Sequence, residues 1–200
     1  MSRFEERING SLADRARAIA DEAARVHADV NQFYDKTLPY SCHLADVARN
    51  TAEYADEVVA VSAPDDLILA VWFGAWFHDS IEDARLTYNN VRKIASRHID
   101  AEEYVDLATE IVYALTNEKG RTRAQRADER YYSLIRQTPY APLVKMADRL
   151  ANIEYSVTHS QSGMARMYAD ELEHFLQSVQ GGVTSVPEQM IERVRTLVRS

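Results

Sequence analysis

The chain has 200 residues, which is enough for one domain with a sizeable core and too few for two ordinary domains. Hydrophobic residues make up 46% and charged residues 27% of it, the balance of a folded globular protein rather than a disordered one. The net charge of −8 argues against a large nucleic-acid surface, which needs a basic face. A nucleotide substrate is still compatible with this charge, because a bound metal ion reverses the local field.

Cysteine usage and hydropathy bear on location. The single cysteine, Cys42, excludes an internal disulfide and favours a reducing, cytoplasmic compartment. The first seven residues contain no apolar stretch of the kind found in a signal peptide. The longest apolar run, 67–77, is shorter than the ~20 residues that a bilayer span needs. It predicts a helix buried on all sides, and no membrane partner is expected.

Six glycines and five prolines leave little material for tight turns, and no stretch alternates with period two. We therefore predict an all-α fold with a single domain over residues 1–200. The predicted helices, in chain order, are 11–30, 41–58, 62–78, 88–98, 100–115, 121–137, 140–155, 162–179 and a C-terminal helix within 183–200. Residues 31–40 and 80–87 are predicted loops. The predicted N-caps are Ser11, Ser41, Ser62, Thr87 and Asp100.

Residue types that bind metals occur inside or at the end of apolar helices, at distant points of the chain. They are His43, the pair His78-Asp79, and Asp148. A buried chargeable side chain needs a partner, and a divalent ion satisfies several at once. Two imidazoles with two carboxylates suit Mn, Fe, Zn or similar ions better than Ca or Mg. Each residue alone also has an ordinary interpretation, since a buried histidine is usually a satisfied core residue.

Two carboxylates follow the His-Asp pair at helical spacing. Glu82 lies four residues after His78, and Asp83 lies four residues after Asp79. If the helix continued for one more turn, both carboxylates would project on the ligand side. They could then hold and deprotonate a water molecule at the metal, as a general base does. The alternative is a solvated turn.

The third segment has the same periodicity. Asn152 follows Asp148 by four residues, and Arg149 follows Lys145 by four. One helix face would therefore offer a metal ligand and an amide, and its flank two cations for phosphate oxygens. The alternative is that Asp148 and Arg149 form a surface ion pair.

The order His…His-Asp…Asp resembles the HD superfamily of metal-dependent phosphohydrolases. Three longer motifs are similar to the hydrolase domain of RelA/SpoT proteins: PYSCH at 39–43, FHDSIED at 77–83 and VKMADRLAN at 144–152. The segment ALTNEK at 114–119 resembles the stretch between them in that family. The resemblance spans about residues 13–179 and implies an HD-type helical bundle.

The resemblance also implies a site and a reaction. One divalent ion, Mn²⁺ with Fe, Zn, Co or Ni as alternatives, would be bound by His43, His78, Asp79 and Asp148. Glu82 and Asp83 would activate the attacking water, and the substrate phosphates would lie near Lys145, Arg149 and Asn152. The reaction would remove the 3′-pyrophosphate from guanosine tetra- or pentaphosphate, a small-molecule nucleotide.

The sequence departs from the family at the position of a purine-contacting arginine, where it has Tyr34. A tyrosine ring could stack on a base instead. Two alternatives therefore stay open. One is the same site with another substrate, either a nucleoside mono- or triphosphate or the 2′-phosphate of NADPH. The other is a non-catalytic nucleotide sensor, which the Glu82-Asp83 pair disfavours, because a sensor needs no water-activating base.

Overall fold

The computed structural model describes residues 1–117, 128–159 and 162–199. Within these residues the regular secondary structure is helical, apart from one isolated bridge between Phe33 and Pro39. The helices are α1 (Arg3–Asn9), α2 (Ala13–Ala28), α3 (Tyr40–Tyr54), α4 (Asp65–Phe77), α5 (Tyr88–Ala95), α6 (Glu102–Leu115), α7 (Glu129–Gln137), α8 (Ala141–Thr158), α9 (Ser162–Val179) and α10 (Glu188–Arg199). The all-α prediction is confirmed. None of these helices combines the length and hydropathy that a bilayer crossing requires.

The centre of the bundle is formed by α3 and α4. Helix α3 packs along α8, α4 and α2, and α4 also packs on α6. The side chains of Leu69, Phe73 and Phe77 in α4 are fully buried, as expected for a helix that is apolar on all sides. Helix α4 approaches α6 closely at Gly74, where an added Cβ would lie 2.5 Å from Cγ2 of Ile111. The C-terminal end of α4 is therefore held deep in the core.

Several helices begin without the predicted side-chain caps. Helix α3 begins after Pro39 and α4 after Pro64, so Ser41 and Ser62 are not N-caps. Proline in an extended conformation sets these helix starts through its restricted backbone. Helix α2 likewise begins after Leu12, without a side-chain cap from Ser11. The prediction is right for α5, where the Thr87 hydroxyl accepts a hydrogen bond from the backbone N–H of Asn90.

The free backbone N–H groups at the start of α6 are bound by a residue that is distant in the sequence. The predicted cap, Asp100, precedes the observed N-cap Ala101, which makes no side-chain cap hydrogen bond. Instead, Oδ2 of Asp66 in α4 accepts the backbone N–H groups of Asp100 and Ala101, at 3.2 and 2.7 Å. The predicted helix start at 121 and the end of the segment at 114–119 lie outside the described residues. Helix α7 begins at Glu129 after a cap by Asp128.

A single 3₁₀ turn after α3, Ala55–Glu57, holds the first residues of both α1 and α10. The Asp56 carboxylate accepts the backbone N–H groups of Arg3 and Phe4, at 2.7 and 3.1 Å. The Glu57 carboxylate accepts those of residues 188 and 189 at the start of α10, at 2.7 and 3.3 Å. Carboxylates at helix N-termini satisfy free N–H groups and complement the helix dipole.

Candidate metal centre

The four predicted ligands come together where α3, α4 and α8 meet. His43 lies in the first turn of α3, His78 and Asp79 directly follow α4, and Asp148 lies in α8. Nε2 of His78 lies 2.9 Å from Oδ2 of Asp79 and 4.0 Å from Oδ1 of Asp148. Nε2 of His43 lies 3.7 and 3.5 Å from the same two oxygens. Both imidazoles therefore direct their outer nitrogens at one pair of carboxylate oxygens.

The arrangement around His78 fits a metal ligand. Its Nδ1 lies 2.9 Å from the backbone oxygen of Ala75, so that a proton on Nδ1 leaves the lone pair of a neutral ring on Nε2. Nε2 is buried and, among the residues that the structure describes, has no well-aligned hydrogen-bond partner, although Oδ2 of Asp79 lies 2.9 Å away. The candidate ligand atoms of His43, His78 and Asp79 all lie within 4.8 Å of one another. A divalent ion satisfies this orphaned nitrogen, and a mixed N/O set is suited to one.

The buried charges shift the pKa values of the cluster. Burial alone raises the pKa of Asp79, but the adjacent His78 outweighs it and holds that pKa well below its usual range. Burial also raises the pKa of Asp148, but Lys145, His43 and His78 together outweigh burial and hold that pKa well below its usual range. Both aspartates are therefore anionic near neutral pH and available as ligands. Burial lowers the pKa of His78, but Asp79 outweighs burial and raises it; a divalent cation satisfies the same negative charge in place of the proton.

Asp148 accepts hydrogen bonds from two residues that were predicted to lie near the substrate phosphates. The Lys145 ammonium donates to its Oδ2 at 2.9 Å. The side-chain amide of Asn152 donates to its Oδ1 at 2.6 Å and to its backbone oxygen at 2.9 Å. Lys145 and Asn152 thus orient a predicted metal ligand, as outer residues of metal sites commonly do. Their role toward phosphate stays a prediction.

The predicted base-stacking residue, Tyr34, lies against the ligand cluster. Its ring stacks on the imidazole of His43, with centroids 4.7 Å apart and planes inclined by 5°. Its hydroxyl donates to Oδ1 of Asn152 at 2.8 Å. Burial raises the pKa of this hydroxyl, which therefore stays a donor.

The predicted general bases lie in the turn after α4, since the helix does not continue as the spacing argument assumed. The backbone N–H of Asp83 donates to the oxygen of Asp79 at 2.8 Å, which closes a turn of helical size. The Glu82 carboxylate accepts the backbone N–H of Asn117, just after α6. Burial raises the pKa of Glu82, and burial together with Asp79 raises that of Asp83. A carboxylate with a raised pKa accepts a proton more readily near neutral pH, as a general base must.

Arg149 has different surroundings from the other predicted substrate contacts. Its guanidinium lies 4.1 Å from the ring centroid of Phe175 and 4.9 Å from that of Tyr168, both in α9. It also lies 3.4 Å from Oε2 of Glu171, and only 8% of its side chain is exposed. The observed contacts of Arg149 thus join α8 to α9, while its role toward phosphate stays a prediction.

Two residues near the ligands were not among the predicted site residues. The hydroxyl of Tyr40 donates to Oδ2 of Asp79 at 2.5 Å. His27, from α2, stacks on the Tyr40 ring with centroids 4.8 Å apart and planes inclined by 10°. Tyr40 belongs to the PYSCH motif, so the motif was a usable signal for it. The sequence contains no comparable signal for His27, because the contact of His27 with Tyr40 depends on how α2 packs against α3.

The sequence matches no protein-family model and no curated protein sequence. Solved structures do match, among them a protein described as a metazoan ortholog of SpoT that hydrolyzes ppGpp and plays a role in starvation responses. The match covers 92% of this chain and 94% of that chain, with a TM-score of 0.63 and 17% sequence identity. The two proteins share a fold. The helical bundle that the motifs implied is therefore confirmed as the fold, and the activity of the matched protein enters only as support for a proposal.

Proposed function

We propose that the protein is a metal-dependent phosphohydrolase that removes the 3′-pyrophosphate from guanosine tetra- or pentaphosphate. The observation that carries the proposal is the buried Nε2 of His78, which has no well-aligned hydrogen-bond partner in the described part of the chain and faces two anionic carboxylates. The shared fold with a protein described as hydrolyzing ppGpp supports the choice of substrate.

The proposed metal ligands are His43, His78, Asp79 and Asp148, and the proposed ion is Mn²⁺. When bound, a divalent ion polarises a phosphoryl oxygen and lowers the pKa of water. The donor set fits Fe, Zn, Co or Ni as well, so the choice among these ions needs a direct metal analysis of the purified protein.

The protein's own residues would perform the proton transfers and the positioning. Glu82 and Asp83, whose pKa values are raised, would accept the proton of the attacking water. The water oxygen attacks the phosphorus atom that is bonded to the 3′ oxygen of the ribose. The bond between this phosphorus and the 3′ oxygen then breaks. The 3′ oxygen takes up a proton, so that guanosine tetraphosphate gives GDP and pyrophosphate. Lys145 and Asn152 would hold Asp148 in place and face the phosphates.

The test is an incubation of the Mn²⁺-loaded protein with guanosine tetraphosphate, with the products separated by ion-exchange chromatography. We expect GDP and pyrophosphate, and we expect EDTA or the substitution Asp79→Ala to abolish both. A folded, metal-loaded protein that leaves this substrate intact would refute the substrate assignment. Parallel incubations with nucleoside mono- and triphosphates and with NADPH then identify another substrate. Tight nucleotide binding without any turnover would favour the sensor alternative.

The general base is tested separately from the metal site. We expect Glu82→Gln to lower kcat by ~10²–10⁴-fold, the usual contribution of a general base, with unchanged Mn²⁺ affinity. Glu103→Gln is the matched control, because Glu103 is an exposed carboxylate on α6. An unchanged kcat in Glu82→Gln would remove Glu82 from the mechanism.

A further inference from the structure

The loop that carries Tyr34 is fixed by its own hydrogen bonds. The backbone N–H of Tyr34 donates to the oxygen of Leu38 at 2.9 Å. Oδ1 of Asp35 accepts the backbone N–H groups of Thr37 and Leu38, both at 2.9 Å. The hydroxyl of Tyr155, in α8, donates to the other oxygen of Asp35. The loop therefore presents the Tyr34 ring in a defined position rather than as a free surface side chain.

Tyr34 contacts the ligand cluster in two separate ways. Its ring lies flat on the imidazole of His43 and makes a T-shaped contact with the ring of Tyr155, at a centroid distance of 4.7 Å. Its hydroxyl donates a hydrogen bond to Oδ1 of Asn152, and the amide nitrogen of Asn152 donates one to Oδ1 of Asp148. Tyr34 thus contacts the predicted ligand His43 directly. It reaches the predicted ligand Asp148 through Asn152.

We propose that Tyr34 is a positioning residue of the metal centre, whose ring supports His43 and whose hydroxyl orients Asn152 against Asp148. This inference rests on the proposed function only for its effect on turnover, because its effect on metal binding needs no substrate. Residues that orient metal ligands typically contribute 10–100-fold to metal affinity or activity.

The same contacts limit what Tyr34 does for specificity. The ring face that lies on His43 is closed to a nucleobase, and the hydroxyl is engaged with Asn152. The observed contacts of Tyr34 with the ligands and Asn152 concern the metal centre, which every substrate shares, so the proposal assigns its role there and not to the base, in which substrates differ. Changes at Tyr34 should alter turnover by the same factor for guanosine and adenosine substrates.

Three variants test the proposal. Tyr34→Leu removes both the stack and the hydroxyl, whereas Tyr34→Phe removes only the hydroxyl. Phe33→Leu is the matched control, since Phe33 is the neighbouring aromatic residue and is 52% exposed. Mn²⁺ affinity is measured by isothermal titration calorimetry, and Co²⁺ absorption spectra report the ligand geometry. Circular dichroism establishes that each variant is folded.

For Tyr34→Leu we expect a loss of about 10–100-fold in Mn²⁺ affinity and a changed Co²⁺ spectrum. Tyr34→Phe should recover most of the affinity, because the stack remains, but its kcat should stay about tenfold low, because Oδ1 of Asn152 loses the donor that orients the amide. The loss in kcat should be equal for guanosine tetraphosphate and its adenosine counterpart. Phe33→Leu should match the wild type in every measurement.

Two results would overturn the proposal. One is a folded Tyr34→Leu protein that binds Mn²⁺ as tightly as the wild type does. The other is a change in KM confined to one base, which would make Tyr34 a base-recognition residue. If the wild type hydrolyses neither nucleotide, the proposed function fails, while the metal titrations still decide the role of Tyr34. In Tyr34→Phe, the side chain retains its aromatic packing, so a folding defect in Tyr34→Leu leaves the role of the hydroxyl testable.

Discussion

Replacing His27 with phenylalanine should make the stability of the protein less sensitive to acid. His27 is 1% exposed, and neither of its ring nitrogens has a hydrogen-bond partner within residues 1–117, 128–159 and 162–199. Burial lowers its pKa from 6.5 to about 4, although the nearby Asp79 acts in the opposite direction. The native protein therefore keeps this ring neutral at pH values where the unfolded chain protonates it.

The sign and size of the effect follow from this difference in pKa. Between pH 6.5 and about 4 the unfolded state binds more protons at His27, so stability falls as the pH falls through this window. Above pH 6.5, the pKa of the unfolded state, the ring is neutral in both states and does not change the free energy of unfolding. Below about pH 4 the full loss of unfolding free energy has been reached. At 1.36 kcal/mol per pKa unit, the loss amounts to about 3 kcal/mol. Phenylalanine keeps the stack on Tyr40 and has no proton to bind.

The assay is urea unfolding of wild type and His27→Phe at several pH values between 7 and 4, with EDTA present. Other groups titrate in both proteins, so the informative quantity is the difference between their free energies of unfolding. We expect this difference to move by about 3 kcal/mol in favour of the variant from pH 7 to pH 4. His159→Phe, at an exposed histidine, is the control. A difference that is constant with pH would contradict the reasoning.

Three further predictions concern packing and the metal. Gly74→Ala should cost about 1–3 kcal/mol in unfolding free energy, because its Cβ would overlap the Ile111 side chain; adding Ile111→Ala should then cost less than the sum of the two single substitutions. Arg149→Lys should lower stability by about 1–2 kcal/mol in thermal melts, because lysine cannot reproduce the planar contacts with Phe175 and Tyr168, and Mn²⁺ affinity should not change. Mn²⁺ at about 100 times its Kd should stabilise the protein by about 2.7 kcal/mol in the same melts, and Asp79→Ala should remove that gain.

The helical fold was predictable because its signals are local. The apolar residues of α4 and the N-cap at Thr87 act within one or two turns, and the structure agrees with both. Local signals were also missed, since Ser2 and Glu5 form a capping box that begins α1. That box lay outside the apolar pattern used to find helices.

Features that depend on distant contacts were not predictable. The start of α6 is satisfied by Asp66, 34 or more residues away in the chain. Tyr140 precedes α8 in the left-handed region, with φ of 64°, and its N–H donates to Thr184 at 3.0 Å. A tyrosine is seldom found in this region, and only a partner 44 residues distant reveals why it is tolerated here.

For the site, the motifs identified residues but not their contacts. Spacing alone placed Asn152 on the face of Asp148 and Lys145 on the flank of that face, and the structure brings both to the Asp148 carboxylate. The same reasoning placed Arg149 on the flank of that face. Its guanidinium instead contacts Phe175, and the position of α9 that makes this contact possible depends on tertiary packing. The role of Tyr34 depends in the same way on how its loop folds over α3 and α8.

The 3₁₀ turn at Ala55–Glu57 has a consequence for how the protein unfolds. Terminal helices usually fray independently of each other and of the core. Here neighbouring carboxylates of one turn hold the first residues of both α1 and α10. Opening that turn releases both helices at once, so the ends of the bundle should exchange their amide hydrogens as one cooperative unit. Deleting α1 should therefore accelerate hydrogen exchange in α10, although the two helices lie at opposite ends of the chain.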